Sequence, residues 1–429
     1  MNLTAKFYRI FRKNIQAVTL SALRALIIAF CFFSTKPLYA ETKVILLGID
    51  SADWKALGHF INKGKASNFK TFIKRGTRAH VNPEDNKDAP VNWTTVATGF
   101  KSEKHDIQFL NYYDSAEQRA TPYLSTQRKK PAFWNILTEN GITTGIVGWP
   151  VSWPAEAVNG FFVSAYEYFD DETGDMFPRA FYVNGDQMFY PLTLKSTLEN
   201  IAHLQEMKYK DNIRMITQAS VSKSERSPIK TTLWDFLTDD INQKIGQELY
   251  QEIKPRVLAV YLEGLHRIGH NLLSEEEDTR REHMEIYEDV LGNYYSYLDG
   301  ILGEYIQLAD EETTIIVVSD RGLNQRGQHT ADGIFIIAGP AIKRDAKSFF
   351  TISLDDIAPT ILYLMGVSVS ADMDGRVFRF AFKREYLAAH PVETVETFKE
   401  YVPLASPAKK PVARKDIVER TKILEQVEN

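Results

Sequence analysis

Two acidic residues stand at the ends of apolar stretches in this sequence, where buried strands would end. Asp50 follows the run KVILLGI, and Asp320 follows TTIIVVS. In open α/β sheets, ligands bind beyond the carboxyl ends of the strands, so acids at these positions are candidates for chemistry. The alternative is that both carboxylates only cap the ends of their strands.

Basic side chains accompany the second of these acids. Arg321 directly follows Asp320, and His329 comes nine positions after Asp320. An arginine has a permanent positive charge and no lone pair, so it cannot serve as a metal ligand. The stretch therefore indicates a hydrolase site, or the remainder of a hydrolase site in which the Arg321 cation has replaced a metal ligand. The alternative is that Arg321 faces solvent.

A further pair of candidate ligands is formed by His266 and His270, with the spacing His-x-x-x-His. Neutral imidazole nitrogens are suited to zinc. Alone, this spacing is more typical of two ordinary histidines, one hydrogen-bonded and one solvated. His329 is the candidate for a third histidine in the same register. With three histidines, a metal site becomes a plausible alternative.

Strand and helix patterns alternate through most of the chain, and these elements must position the candidate residues. The alternation predicts an α/β fold with a mostly parallel sheet that is covered on both faces. Residues 160–250 interrupt it with an aromatic, loop-like stretch and a helical one, and we predict an inserted cap there. The core would then comprise 41–159 and 251–385, and 386–429 would form a partly flexible C-terminal extension.

The first forty residues predict a signal peptide, and hence a periplasmic or secreted protein. Residues 1–40 contain six basic residues, no acidic one, the apolar run ALIIAFCFF, and Ala40 at a plausible cleavage point. The run is too short to span a bilayer comfortably, although an uncleaved N-terminal anchor is the alternative. Cleavage would remove the only cysteine, Cys31, and would leave neither a disulfide nor a transmembrane span.

Composition and charge narrow the possible partners. The chain has 429 residues, of which 44% are hydrophobic and 25% charged, and this composition is typical of a globular protein with a large core. Loss of the six basic residues with the signal peptide would move the formal net charge from −5 to −11. Such an acidic surface argues against nonspecific binding of nucleic acid.

Seven sequence motifs, in order between about residues 43 and 380, resemble those of a known family. They are GIDSADW, NWTTVATG, GWPVSWPAEAVNGFFVS, YLEGLHRIGH, VVSDRG, GQHTADGIFIIAGPAIK and DIAPTILYLMG. The sequence is similar to the type I phosphodiesterase/nucleotide pyrophosphatase branch of the alkaline phosphatase superfamily. This resemblance implies a three-layer α/β/α sandwich with two metal ions, usually zinc, and a Thr or Ser nucleophile that forms a covalent phospho-intermediate.

The resemblance implies that the second metal site of the family is degenerate in this chain. Asp50 and Asp320 match two of its acidic ligands, but Arg321 stands where the family has a histidine. The nucleophile position falls on Ala89, whose methyl group can neither attack phosphorus nor bind a metal. We expect Arg321 to form a charge clamp with Asp50 and Asp320, replacing the charge of the missing ion.

The resemblance leaves the first metal site chemically plausible. His266 stands where the family has an aspartate, and His270 and His329 match its two histidines. Three imidazoles could hold one zinc ion and leave an open position for an acidified water. Thr94 and Thr95 are candidate replacement nucleophiles, but we expect a role at the start of a helix instead, and we expect His105 to be structural.

Three hypotheses for the function follow. The first is a non-catalytic family member that binds a phosphorylated or sulfated ligand, or a partner protein. The second is a one-metal phosphoester hydrolase that uses water bound on the three-histidine site. The third, which the loss of the nucleophile disfavours, is an ordinary two-metal phosphodiesterase with displaced residues.

Overall fold

The protein is represented by a computed structural model in which the predicted signal peptide and the end of the C-terminal extension lie outside the described residues. Among the residues that are described, no helix combines the length and the apolar character needed to cross a membrane. The described residues are 42–82, 87–115, 118–169, 176–179, 187–217, 228–272, 277–323 and 328–398.

The described elements alternate between strands and helices along most of the chain. The strands are β1 (Lys43–Ile49), β2 (Thr77–Asn82), β3 (Asn111–Asp114), β4 (Arg119–Pro122), β5 (Thr144–Trp149), β6 (Gly160–Ser164), β7 (Tyr166–Phe169), β8 (Met176–Arg179), β9 (Phe189–Tyr190), β10 (Val257–Leu262), β11 (Thr313–Val318), β12 (Gly322–Leu323), β13 (His329–Thr330), β14 (Gly333–Ala338), β15 (Asp345–Ser353), β16 (Val369–Ser370) and β17 (Thr394–Val395). The α-helices are α1 (Trp54–Asn62), α2 (Ser67–Arg75), α3 (Ala89–Thr98), α4 (Ser102–His105), α5 (Phe133–Glu139), α6 (Lys195–Thr217), α7 (Pro228–Ile253), α8 (Gly264–Leu272), α9 (Glu277–Leu308), α10 (Ile357–Leu364) and α11 (Arg384–Ala389).

The main sheet of the described residues has nine strands in the order β15-β2-β14-β11-β1-β10-β5-β6-β9. Strands β11, β1, β10, β5 and β6 run parallel to one another, and β15 runs parallel to β2. Strand β14 is antiparallel to both of its neighbours, and β9 is antiparallel to β6. The sheet is therefore mostly parallel, as predicted.

Both faces of this sheet are covered, because successive residues of β1 enter two different hydrophobic cores. Ile45 and Leu47 pack in a core that contains residues of α1, α2, α7 and α9. Val44 and Leu46 pack in a second core, formed with α3, α5 and α10. Side chains alternate between the faces of a strand, so two cores define three layers. The predicted α/β/α sandwich is confirmed.

Part of the segment predicted as an inserted cap belongs to the main sheet. Strand β6 pairs with β5, and β9 pairs with β6, although both lie within residues 160–250. Helix α7 contributes Ile241 and Ile245 to a core that also contains Val260 of β10. Strands β7 and β8 form a separate two-stranded sheet. The idea that the remainder of 160–250 acts as a cap stays a prediction.

Helix α3 carries the position that the resemblance matches to the nucleophile. The helix begins at Ala89, has a proline in its first turn, and ends at Thr98, where it is capped by Gly99, which is left-handed with φ of 72°. Thr94 and Thr95 lie inside the helix and not at its start. The expectation of a helix-start role for these threonines was wrong, because the helix begins five residues earlier.

Candidate functional site

Asp50 follows the last residue of β1 and is the buried centre of the site, with no exposed surface. Its Oδ2 accepts hydrogen bonds from the Tyr261 hydroxyl at 2.7 Å and from Trp93 Nε1 at 3.3 Å. Its Oδ1 accepts one from the Ser51 hydroxyl at 2.9 Å. These donors stabilise the ionised carboxylate at a position that water does not reach.

The two buried carboxylates of the site differ in proton affinity. Burial and the charge of Asp50 raise the pKa of Asp320 to about 7. Burial also acts to raise the pKa of Asp50, but the charge of Arg321 and the hydrogen bonds from the Tyr261 and Ser51 hydroxyls act against it, and the pKa is lowered. Near neutral pH, Asp50 is therefore ionised while Asp320 is partly protonated.

Arg321 is 3% exposed and lies against both carboxylates, which excludes the solvent-facing alternative. Its Nε atom is 3.4 Å from Asp320 Oδ2 and 3.9 Å from Asp50 Oδ1. Its Nη1 atom donates hydrogen bonds to the backbone oxygen of Lys87 at 2.9 Å and to His329 Nδ1 at 3.2 Å. The structure therefore brings together the three residues of the predicted charge clamp and joins them to a histidine.

The contacts of Arg321 with the carboxylates are ion pairs and not a hydrogen-bonded fork. Within the described part of the chain, Arg321 Nε and Asp320 Oδ1 have no hydrogen-bond partner. Asp320 Oδ2 accepts instead from Asn92 Nδ2 at 2.8 Å. Because the guanidinium has no lone pair and lies beside both acids, these residues do not fit a second metal ion.

His266, His270 and His329 come together from two separate elements. The first two belong to α8, and His329 begins β13. One nitrogen from each ring can be chosen so that all three lie within 4.8 Å of one another. His270 Nε2 and His329 Nε2 are 2.9 Å apart. Three imidazole nitrogens at this separation fit one metal ion with nitrogen ligands.

The three imidazoles are neutral at pH 7. Burial lowers the pKa of His329 to about 4, with a further contribution from the charge of Arg321. Burial also lowers the pKa of His266 well below its ordinary value, and partial burial together with the charge of Arg321 lowers the pKa of His270. Neutral imidazole is the form that binds metals, so metal binding near neutral pH does not first require the deprotonation of an imidazolium.

Asp239 of α7 holds the start of the helix that carries two of these histidines. Its carboxylate accepts hydrogen bonds from the backbone amides of Glu263 at 2.9 Å and Gly264 at 3.0 Å. The hydroxyl of Tyr294, on α9, donates to the same carboxylate at 2.6 Å. A side-chain acceptor for the first amides of a helix is a cap, so Asp239 orients α8.

The nucleophile position and its neighbours offer no replacement hydroxyl. Ala89 is 8% exposed at the start of α3. The hydroxyls of Thr94 and Thr95 donate to the backbone oxygens of Pro90 at 2.6 Å and Val91 at 3.1 Å, four residues earlier in the helix. Both threonines are thus engaged in their own helix and do not face the site as nucleophiles.

His105 is fully buried and has two hydrogen-bonding contacts within the protein. Its Nδ1 accepts from the Ile107 amide at 3.1 Å, and its Nε2 lies 3.1 Å from the Thr95 hydroxyl. Burial lowers its pKa to about 3. These contacts agree with a structural role.

An open cleft is lined in part by a residue that contacts Asp50. The empty space in this cleft, counted together with the open solvent at its mouth, is about 680 Å³. Tyr261, which binds Asp50, forms part of its wall, and Asp239 and Glu263 provide acidic groups. Aromatic and apolar lining comes from Pro90, Tyr123 and Val151. A ligand with an organic part could therefore lie beside the site.

The family model described as type I phosphodiesterase/nucleotide pyrophosphatase matches residues 44–337. The chain belongs to this family. The match contains every residue of the charge clamp and of the histidine cluster, and the resemblance seen in the sequence is confirmed. Members of the family normally bind metal ions.

Individual relatives are distant. Curated phosphoglycerate mutases of the 2,3-bisphosphoglycerate-independent type, from Coxiella burnetii, are 28% identical over 110 residues. That match covers 25% of this chain and 20% of the mutase, so the chain spans about a fifth of the length of the curated relatives it matches.

Solved structures are similar in fold. Murine ectonucleotide pyrophosphatase/phosphodiesterase 5 is 13% identical, with a TM-score of 0.45 and coverage of 80% of this chain and 100% of that one. The human protein is 16% identical, with a TM-score of 0.44 and coverage of 78% and 97%. A 2-O glycosaminoglycan sulfatase is 12% identical, with a TM-score of 0.45 and coverage of 79% and 74%.

Several residues around this phosphodiesterase-family site were not found from the sequence. Ser51 and Tyr261 stand beside or near strand ends, which was a usable signal. Asn92 gave no such signal, because an asparagine within an apolar segment is usually interpreted as a surface residue or a packing residue. Asp239 belongs to a helix far from the motifs, so only the tertiary structure connects it with α8.

Proposed function

We propose that this chain is an exported, degenerate phosphodiesterase-family protein that binds a phosphorylated or sulfated small molecule without covalent catalysis. The observation that carries the proposal is the position of Arg321 against Asp50 and Asp320. A guanidinium there takes the place of a metal ion, and the methyl group of Ala89 stands where the resemblance expects the nucleophile. Both features remove the covalent route.

The ligand would meet a single positive centre at the histidine cluster. One zinc ion on His266, His270 and His329 would be held by three protein ligands and would keep a position open for an anionic oxygen. The cleft lined by Tyr123 and Tyr261 would hold the organic part of the ligand. The net charge of the mature chain is acidic, so selectivity for an anion would come from this local centre.

A second candidate function is favoured by the histidine cluster itself. A zinc ion with three neutral ligands lowers the pKa of bound water and can supply a hydroxide near neutral pH. The chain would then hydrolyse phosphoesters directly, with no phospho-enzyme. Displaced two-metal catalysis has no such support, because the residues beside Asp50 and Asp320 do not fit a second ion.

The experiment compares binding and turnover in the same preparation. Purified protein, with and without zinc, is titrated calorimetrically with inorganic phosphate, inorganic sulfate and bis(4-nitrophenyl) phosphate, and release of nitrophenol is followed. Zinc-dependent binding without turnover supports the binding role. Zinc-dependent turnover without a trappable phospho-enzyme supports the hydrolase, and a phospho-enzyme would contradict both.

A further inference from the structure

Ser51 has an unusual backbone for its residue type. It lies in the turn between β1 and α1, is 2% exposed, and has φ of 63°. A residue other than glycine rarely adopts this left-handed conformation, because its Cβ approaches the backbone. Such strain persists only where the surrounding structure holds the residue in place.

The Ser51 hydroxyl connects the buried acid with the histidine cluster. Its Oγ atom is 2.9 Å from Asp50 Oδ1 and 2.8 Å from His266 Nδ1. His266 Nδ1 is itself 3.6 Å from Asp50 Oδ1, so the serine bridges the two groups more closely than they meet directly.

The directions of these two hydrogen bonds follow from the number of protons available. An ionised carboxylate only accepts, and hydrogen bonds to charged acceptors are the stronger ones, so the single hydroxyl proton of Ser51 goes to Asp50. The serine oxygen must then accept, and His266 must donate from Nδ1. Neutral imidazole carries one proton, which leaves Nε2 as the nitrogen with a free lone pair.

The same arrangement argues against Ser51 as a nucleophile. Its proton is directed to Asp50 and not to His266, so the imidazole does not act as its base. At 2% exposure, its oxygen is also closed to a substrate. The role that remains is to hold the ring of His266.

We propose that Ser51 is a positioning residue, which holds the His266 ring through the chain Asp50–Ser51–His266 and keeps the proton on Nδ1. His266 then offers Nε2 to a metal ion. Outer-shell hydrogen bonds of this kind orient metal-binding histidines and select their tautomer. This role rests on the metal-binding part of the proposed function, because Ser51 would affect the affinity of the three-histidine site for a metal ion.

The decisive variant is Ser51→Gly. Glycine adopts φ of 63° without strain, and this relief offsets part of the cost of losing the hydroxyl that donates to Asp50, so the variant should remain folded. Loss of the outer-shell hydroxyl should nevertheless weaken zinc binding about 10–100-fold, measured by competition with a chelating dye. The matched control is Lys254→Gly, at another left-handed position with φ of 52°, which should leave zinc affinity unchanged. Equal zinc affinities for Ser51→Gly and the wild type would overturn the proposal.

A second measurement needs no metal. In metal-free protein labelled with ¹⁵N-histidine, the His266 resonances, assigned with a His266→Gln variant, should show a protonated Nδ1 and an unprotonated Nε2. In Ser51→Gly they should shift towards a mixture of tautomers. A wild-type His266 protonated on Nε2 would refute the role of Ser51. Absence of zinc binding with the expected tautomer would instead refute the metal site alone.

Discussion

Arg321 Nη1 donates a hydrogen bond of 3.2 Å to His329 Nδ1, and this contact joins the charge clamp to the histidine cluster. Because arginine only donates, Nδ1 of His329 accepts, and the proton of the neutral ring lies on Nε2. That nitrogen is 2.9 Å from His270 Nε2, which can accept it. A metal ion on Nε2 of His329 would have to displace this proton. Arg321 therefore influences metal binding as well as the charge of the buried acids.

The first prediction concerns removal of this guanidinium. Arg321→Ala leaves Asp50 and Asp320 buried without their cation, and the free energy of unfolding in chelator should fall by roughly 3–5 kcal/mol. Added zinc should restore part of the loss by occupying the vacated position, about 2.7 kcal/mol when its concentration is 100 times the dissociation constant. Urea denaturation with and without zinc, together with elemental analysis, tests both statements.

Arg321→Lys is the control for this experiment, because it keeps a cation near the two acids and should lose less stability. The wild type should contain at most one zinc ion per chain, and Arg321→Ala should be able to contain more. Two tightly bound ions in the wild type would contradict the clamp.

The second prediction separates the histidine cluster from the clamp. His270 is exposed, so His270→Ala should change the free energy of unfolding in chelator by less than about 0.5 kcal/mol. It should nevertheless abolish stoichiometric zinc binding, because only two of the three ligands remain. His203→Ala, at an exposed position of α6, should leave zinc content unchanged. Equal zinc content in the His270 and His203 variants would exclude this cluster as the metal site.

The third prediction concerns the nucleophile. Ala89→Thr restores a hydroxyl at the start of α3, but Arg321 still lies where the second ion would be needed. We expect no phosphodiesterase activity above that of the wild type, and no phospho-enzyme after acid quenching with a radiolabelled phosphodiester. Activity restored by Ala89→Thr alone would show that the clamp does not block covalent catalysis.

The fourth prediction concerns the pH dependence of stability through Asp239. Burial raises its pKa to about 7 from an ordinary value of 3.8, so the folded state holds a proton that the unfolded state releases at lower pH. Its contribution to stability is therefore complete below about pH 4 and is lost as the pH rises through about 7, with a slope of up to ~1.4 kcal/mol per pH unit.

Asp239→Asn removes that titration. The unfolding free energy of the wild type minus that of the variant should therefore be larger at pH 4.5 than at pH 7.5, as measured by urea denaturation. A difference that is independent of pH would contradict the raised pKa, whatever the absolute stability of the variant.

The fifth prediction concerns export. Cleavage after Ala40 should give a chain that begins near Glu41 and lacks Cys31. Intact-mass spectrometry of protein from its native host, with fractionation into cytoplasmic, membrane and exported pools, checks the start of the chain and its location. A membrane-bound chain that retains residues 1–40 would favour the uncleaved anchor instead.

Local sequence patterns were sufficient to predict the layers and several candidate ligands. The apolar runs before Asp50 and Asp320 predict buried parallel strands, and the strands β1 and β11 are neighbours in the sheet. His266 and His270 are four residues apart on one helix, where this spacing puts two side chains on the same face. Short-range periodicity and the ends of apolar runs are properties of the sequence itself, so these features could be predicted without the tertiary structure.

The contacts that decide the chemistry depend on the tertiary structure. Asp239 reaches the amide of Gly264 across 25 residues, and Ser51 reaches His266 across 215. Arg321 could have faced solvent on sequence evidence alone. Its burial between two acids depends on how β1 and β11 place their carboxyl ends side by side.

The sequence by itself thus determined which residue types are present at the sheet edge, including the absence of a hydroxyl at Ala89. The tertiary structure decided which nitrogen of His266 faces Ser51 and which nitrogen of His329 faces Arg321. The physical reason is that a tautomer follows from the position and direction of hydrogen-bond partners, which local sequence does not specify.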